Sequence, residues 1–291
     1  MTPAPRDAPA PALGGETLPE QGSGFLSRFF RKTDDLAASA RQELSISEPT
    51  VGLCFNYERG LNYDSEYLAD VGLEDVMKVL QRHKLRATFH CPAKLCETSP
   101  KQIEMILQAG HEVAALGYAN EMLTELTPEA LKQLAFTCRN AFLRLKNGYV
   151  GGFRSPRSSW SDRMGPELLR QHFVYDAEHD HAKRPYLLVA GKNPLIRIPI
   201  RTDDRYLRSM RRDKREEAIS KHHRVVRKAV QGRHFVAVCF HPWSLAEESF
   251  RMQHWLEWLD TALQMGVKAL ALEDVLPPEL RSAKPVDEAP Q

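Results

Sequence analysis

Val51-Gly-Leu-Cys-Phe-Asn-Tyr-Glu-Arg-Gly60 is the first stretch that reads as a buried strand, and it stops abruptly in polar residues and a glycine. In α/β proteins, ligands and catalytic groups sit just past the carboxyl ends of strands. Asn56, Tyr57 and Glu58 are therefore the first candidate site residues. The pattern that follows alternates short apolar runs with helical spacing. Strands are predicted at 51–55, 86–91, 111–116, 149–154, 173–176, 186–190, 195–200, 234–240 and 267–272. Between them, the spacing of Leu73, Val76, Met77, Val79 and Leu80 predicts a helix. Ser99-Pro100 and Thr127-Pro128 each read as an N-cap followed by proline at the first helical position. Further helices are expected at 164–172, 210–230 and 249–265. Strands alternating with helices predict a parallel sheet with helices outside. About seven such repeats favour a distorted (β/α)7-type barrel over an open sheet.

Composition narrows the classes. The 291 residues, 42% hydrophobic, can fill a sizeable core, and a net charge of +2 gives no general attraction to nucleic acid. No nucleic-acid partner is expected. No dinucleotide fingerprint or Walker loop is present. Cys54, Cys91, Cys96, Cys138 and Cys239 lie mostly in apolar runs without zinc spacing, and read as reduced core thiols. No run reaches the ~18–20 apolar residues of a membrane span. With no signal-peptide pattern at the start, a cytoplasmic protein is expected.

Three regions follow: a Pro/Ala-rich tail over 1–46, the barrel over 47–280 and a polar tail over 281–291. Within the first, Phe25, Leu26, Phe29 and Phe30 share one face of a helix written over 24–32, beside Arg28, Arg31 and Lys32. That segment suits docking on its own domain, or contact between Phe25–Lys32 and a membrane surface or protein partner. A basic helix spans 205–233 and carries Arg224, Arg227 and Lys228 among its cations; it reads as a solvated outer helix or as an anion-holding stripe.

The residues after each strand form a set: Asn56-Tyr57-Glu58, His90, Leu116 to Asn120, Arg154-Ser-Pro156, Asp176 and His241-Pro242-Trp243. Arg154, Asp176 and His241 are candidate catalytic groups. Arg154, Pro156, Trp243, Tyr57 and His90 are candidate substrate contacts. His111 reads as a capping or packing residue, and His179 and His181 as a polar turn.

From about 51 to 276 the chain resembles the polysaccharide deacetylase family, the NodB-homology esterases. The motifs that carry the resemblance are Ala87-Thr-Phe89, Gly110-His-Glu-Val113, Gly152-Phe-Arg-Ser-Pro156, Phe173-Val-Tyr-Asp176 and Cys239-Phe-His-Pro-Trp243. The resemblance implies a distorted (β/α) barrel and hydrolysis of an N-acetyl group on a saccharide. It also implies a catalytic base and a metal-ligating aspartate at Asn56 and Tyr57, and two metal-ligating histidines at Leu116 and Asn120. All four are replaced here. Leucine has no lone pair, and an asparagine amide is neither a base nor a good zinc ligand. No cofactor is therefore expected, with zinc only if the site has been rebuilt. Some relatives carry an Asp-x-Glu arrangement, which makes Glu58 the residue to watch. Three readings follow: a non-catalytic or weakly catalytic saccharide binder, with a place in cell-surface polysaccharide production; a rewired carbon–nitrogen hydrolase using Glu58, His90 and His241; or a scaffold using the basic helix and the Phe-rich segment.

Overall fold

The computed structural model describes residues 30–32, 41–61, 65–145, 148–190, 193–204, scattered positions within 217–232, and 235–281. The strands are β1 (Phe30–Lys32), β2 (Gln42–Leu44), β3 (Thr50–Asn56), β4 (Thr88–Cys91), β5 (Glu112–Leu116), β6 (Gly152–Arg154), β7 (Tyr175–His179), β8 (Tyr186–Val189), β9 (Leu195–Asp203), β10 (Phe235–Phe240) and β11 (Lys268–Leu270). The helices used below are α1 (Glu66–His83), α2 (Pro100–Gln108), α3 (Pro128–Leu143), α4 (Met164–Arg170), α5 (Pro242–Glu247), α6 (Ser249–Gln264) and α7 (Leu272–Val275).

Seven strands close on themselves in the order β3-β4-β5-β6-β7-β9-β10, and every neighbouring pair is parallel. The expected seven-stranded barrel is therefore present. Side chains alternate faces along each strand. Val51, Leu53 and Phe55 of β3 join Phe89, Val113, Phe153 and Phe240 in the layer facing the helices. Cys54 belongs instead with Tyr175, Ala177, Ile198 and Cys239. β11 pairs with the first half of β3, at Thr50 to Gly52, while β4 pairs with its second half, at Cys54 to Asn56. At the amino end of the barrel β11 thus takes the place beside β3 that β4 holds at the other end.

Local sequence explains the elements. The Ser65 side chain accepts from the Leu68 amide to start α1, and Lys84 ends it in the left-handed region. Thr127 caps α3 by accepting from the Ala130 amide, with Pro128 first in the helix. Gly72, inside α1, is explained by contact: a Cβ there would lie 1.9 Å from the Pro242 carbonyl oxygen at the start of α5. Because the obstacle is backbone, it cannot swing away. Gly72→Ala is expected to cost about 3 kcal/mol, the upper part of the overpacking range. That is a fall of roughly 6–12 °C in Tm for a domain of this size, readable by calorimetry.

Several strand bounds differ from the sequence reading. β7 begins at Tyr175 rather than 173 and continues to His179, and β9 continues to Asp203 rather than stopping near 200. Phe30–Lys32 is a strand, antiparallel to β2 with Phe30 opposite Leu44, and not the end of a helix. Backbone pairing to β2, and from β2 to β8, extends the sheet there. Residues 24–29 of the proposed amphipathic helix lie outside the described residues. So does much of the basic helix 205–233, whose described positions between Glu217 and Gln231 are helical. All five cysteines are buried and none forms a disulfide. No described helix is long and apolar enough to cross a membrane.

Candidate functional site

The carboxyl ends of the strands form the mouth of the barrel. At the end of β10, His241 is almost fully buried, and its Nδ1 lies 2.5 Å from Oδ1 of Asp204, the residue after β9. The other carboxylate oxygen of Asp204 accepts from the His241 backbone amide at 3.0 Å. One carboxylate thus fixes both the ring and the main chain of His241. Its Nε2 faces Asn56 Nδ2 at 3.4 Å, and the Cys239 thiol donates to Asn56 Oδ1 at 3.3 Å. Burial alone lowers the pKa of His241. The charge and hydrogen bond of Asp204 outweigh it, with a further contribution from the charge of Glu58, and push it up to about 10. His241 is an imidazolium at neutral pH. Trp243, in the first turn of α5, has its ring 5.9 Å from the His241 ring.

Across the mouth, Arg154 at the end of β6 is buried and donates to the Ala177 carbonyl at 3.0 Å. It also lies 3.4 Å from His179 Nε2, which in turn lies 2.9 Å from Asp203. Next to it, both the amide and the hydroxyl of Ser155 donate to Glu178, at 2.5 and 2.7 Å. Burial pushes the Glu178 carboxyl up to about 7, with the Arg154 charge pulling the other way. Pro156 is buried beside Gly117, and the loop then passes through Arg157 and Ser158, both with positive φ, at 54° and 55°. Two successive non-glycine residues in the left-handed region are uncommon. From there the Arg157 Nε donates to Asn120 Oδ1 at 3.1 Å.

Several residues singled out in the sequence sit elsewhere. The Tyr57 side chain joins the helix-facing layer, and its hydroxyl donates to Asp70 of α1 at 2.5 Å. Burial first, and the bond to Asp70 next, raise its pKa far out of reach of ionisation. The period of two explains this: Phe55 and Tyr57 share one side, Asn56 and Glu58 the other. Removing the hydroxyl in Tyr57→Phe should cost about 1–2 kcal/mol of stability, by urea unfolding, and leave events at the mouth unchanged. Asp176 pairs with Arg197, its ladder neighbour on β9, and not with Arg154. The Arg197 guanidinium in turn lies 4.3 Å over the Trp160 ring. This places Asp176 away from His241 and Arg154, as part of a structural ion pair. Burial pushes its carboxyl up to about 6 against the pull of Arg197.

His90 is fully buried beneath the mouth, beside Asn56 in the ladder. Burial, and then the charge of Arg154, hold its pKa well below the usual histidine range. Neither ring nitrogen makes a well-formed hydrogen bond; the Phe55 backbone offers partial compensation. His90 is therefore a neutral interior group. His181 is exposed, and His179 of the same pair reaches the mouth. The sequence reading missed Asp204, Asp203 and Glu178. Their signal was the acidic doublet Asp203-Asp204 closing a strand.

The positions where the family would place metal ligands are filled by other residues. Leu116 is a buried hydrocarbon at the end of β5, Asn120 is engaged by Arg157, and Tyr57 points away. Glu58 remains as the one ionisable oxygen donor of that set, and the described residues contain no group of three His, Cys, Asp or Glu able to hold an ion. The donor set does not fit a catalytic zinc site, which needs three protein ligands.

Residues 47–173 match the polysaccharide deacetylase family model. That segment resembles a polysaccharide deacetylase domain. A peptidoglycan deacetylase of Helicobacter pylori is 28% identical over 126 residues, covering 43% of each chain. The deacetylase-like chain thus spans less than half the length of that relative. A Mycobacterium smegmatis structure described as a polysaccharide deacetylase shares the fold with TM-score 0.70 and 17% identity, over 80% of this chain and 91% of that one. A CE4 family pseudoenzyme from Bacillus anthracis shares it with TM-score 0.55 and 16% identity, over 80% and 67%.

Proposed function

We propose that this deacetylase-like protein binds a saccharide at the barrel mouth without hydrolysing it. The observation that carries this reading is the fate of the ligand positions. Leu116, Asn120 and Tyr57 supply no metal site, while His241 and Asp204 remain an assembled, hydrogen-bonded pair with Asn56 beside it. Amide hydrolysis needs an activated water and a stabilised oxyanion. Asn56 cannot take a proton from water, and a His241 held as imidazolium cannot either. What survives suits recognition: a buried arginine, an imidazolium and an amide are groups that hydrogen-bond to sugar hydroxyls and acetamides, whereas Trp243 is packed into the helix-facing core. The Bacillus anthracis protein of the same fold, a pseudoenzyme of which one mutant has restored enzymatic activity, is a precedent for a silent barrel of this type.

The test combines metal analysis of purified protein, hydrolysis assays on N-acetylated oligosaccharides with zinc, cobalt or nickel, and calorimetric binding of the same oligosaccharides. The expected result is binding, weakened by Arg154→Ala, with no turnover under any metal. Stoichiometric metal together with turnover that disappears in His241→Ala would overturn the reading. One observation favours a second reading, a rewired metal-free hydrolase: the Glu58 charge acts on His241, which puts a carboxylate and an imidazolium at one mouth. Turnover without metal, lost in Glu58→Gln, would select it.

A further inference from the structure

Beneath the mouth, on the seam where β10 closes the barrel against β3, two cysteines stand side by side. Cys54 and Cys239 are direct lateral partners in the parallel ladder, and both are fully buried in the barrel interior with Tyr175, Ala177 and Ile198. Neighbouring strands lie about 4.8 Å apart, inside the ~4.4–6.8 Å between Cα atoms that a disulfide spans. Side chains at one register position of parallel neighbours leave the sheet on the same face, so the two thiols share one side. The Cys54 thiol acts on Cys239 as a hydrogen-bond neighbour. Cys91, Cys96 and Cys138 lie in the helix-facing layer instead.

The pair is connected to the mouth. The Cys239 thiol donates to Asn56 Oδ1 at 3.3 Å, and Asn56 Nδ2 lies 3.4 Å from His241 Nε2. The Cys54 thiol donates to the Val238 carbonyl at 3.4 Å. Positive charge surrounds the sulfurs: the buried Arg154 guanidinium acts on both, and the His241 imidazolium acts on Cys239. Burial first, and then Cys54, keep the Cys239 thiol protonated, while Arg154 and His241 pull the other way. Electropositive surroundings favour the thiolate that reacts with oxidants, and burial makes that reaction slow. Buried thiols also serve as small apolar fillers, and the test must separate the two roles.

We propose that Cys54 and Cys239 form a reversible oxidation site, converted by a hydroperoxide to a disulfide across the barrel seam, and that this bond releases Asn56 at the mouth. Cys239, the one bonded to a mouth residue, reacts first. Its sulfur attacks one peroxide oxygen, the O–O bond breaks, and the leaving oxygen departs as water with the thiol proton. The Cys54 sulfur then attacks the sulfenic sulfur, the S–O bond breaks, and the hydroxyl leaves as water with the Cys54 proton. Two electrons pass from the sulfurs to the peroxide. The disulfide has no S–H, so Asn56 Oδ1 loses its donor and the amide loses the contact that fixes it beside His241. The effect on a ligand rests on the reading of the mouth as a saccharide site; the bond itself does not.

The full chain is incubated with hydrogen peroxide, blocked with iodoacetamide and digested for mass spectrometry. The side-chain amide signal of Asn56 and the binding of tri-N-acetylchitotriose are read before peroxide, after it, and again after dithiothreitol. The expected result is a peptide pair joined through Cys54 and Cys239, a shifted Asn56 amide, and affinity weakened about tenfold, the loss of one ligand hydrogen bond. Dithiothreitol should reverse all three. Cys54→Ser keeps a hydroxyl to donate to Val238 and cannot form the bond; after peroxide it should bind as the reduced parent does. If the saccharide does not bind the reduced protein, the reading of the mouth fails, while the joined peptides and the Asn56 signal still decide the oxidation site. The proposal is overturned if peroxide leaves Cys54 and Cys239 as thiols under conditions that oxidise Cys96, the least buried of the five cysteines, or if the cross-linked protein keeps the Asn56 signal of the reduced form.

Discussion

A chain carrying Leu116→His and Asn120→His is expected to retain about one zinc ion through dialysis, where the parent retains none, because two imidazoles and one carboxylate complete a three-ligand set. The carboxylate is Glu58, and this is the sharp part of the prediction. Counting along β3 suggests Tyr57 as the third position, but Tyr57 lies on the helix side with its hydroxyl on Asp70, while Glu58 shares the Asn56 side and acts on His241. Adding Glu58→Gln to the double variant should abolish the metal, and adding Tyr57→Phe should leave it. The opposite pattern would show that Glu58 does not serve the mouth. Adding Asn56→Asp then restores a base next to His241. Hydrolysis of N-acetylated oligosaccharides should rise by about a hundredfold or more over the zinc-loaded double variant, the usual contribution of a positioned general base.

The second large effect concerns Asp204. It is fully buried, and its two oxygens hold the His241 ring and amide. Breaking a buried ion pair from one side costs about 3–5 kcal/mol, and Asp204→Asn is expected to lose that much near pH 6. The pH dependence follows from the raised pKa. His241 titrates at about 10 in the folded protein, against about 6.5 when unfolded. Its contribution is therefore complete below about pH 6.5 and is lost as the pH rises through about 10. In the variant the pull of Asp204 is gone, burial is opposed mainly by the weaker charge of Glu58, and the pKa falls. The stability gap between parent and variant should be widest near pH 6 and narrow toward pH 10. Urea unfolding across that range measures it, and ring-nitrogen chemical shifts follow His241 directly. A gap that does not change with pH, or a parent His241 titrating near the ordinary value, would refute the coupling.

The barrel was legible because its strands are short apolar runs separated by helical spacing and good caps, and the local signals all agree. The strand exits named His241, Asn56 and Arg154 for the same reason. What could not be read was phase and partner. Whether Tyr57 or Glu58 faces the mouth depends on which face Phe55 takes, and nothing within 51–60 fixes that. Asp176 finds Arg197 only because β7 and β9 are neighbours, with β8 set aside as an antiparallel strand on the edge of β9. Asp204 was hidden by the composition of β9, where Arg197, Pro199 and Arg201 interrupt the apolar run and make the strand seem to end early. The pairing of Asp204 with His241 spans 37 residues, a distance that no local pattern encodes.

Closure of the ring between β3 and β10 has a consequence for the order in which the chain can be assembled. The Cys54 thiol donates to the Val238 carbonyl, 184 residues away, and β10 pairs along β3 from Thr50 to Phe55. Residues 47–173, the segment that matches the family model, contain only β3 to β6. Until β10 arrives, one side of β3 is an unpaired strand edge, and such edges template aggregation. During synthesis the first half of the barrel must wait for the last quarter of the chain. Contacts this distant in sequence make folding slow. The best-matched segment of the sequence is thus one that has no finished core of its own.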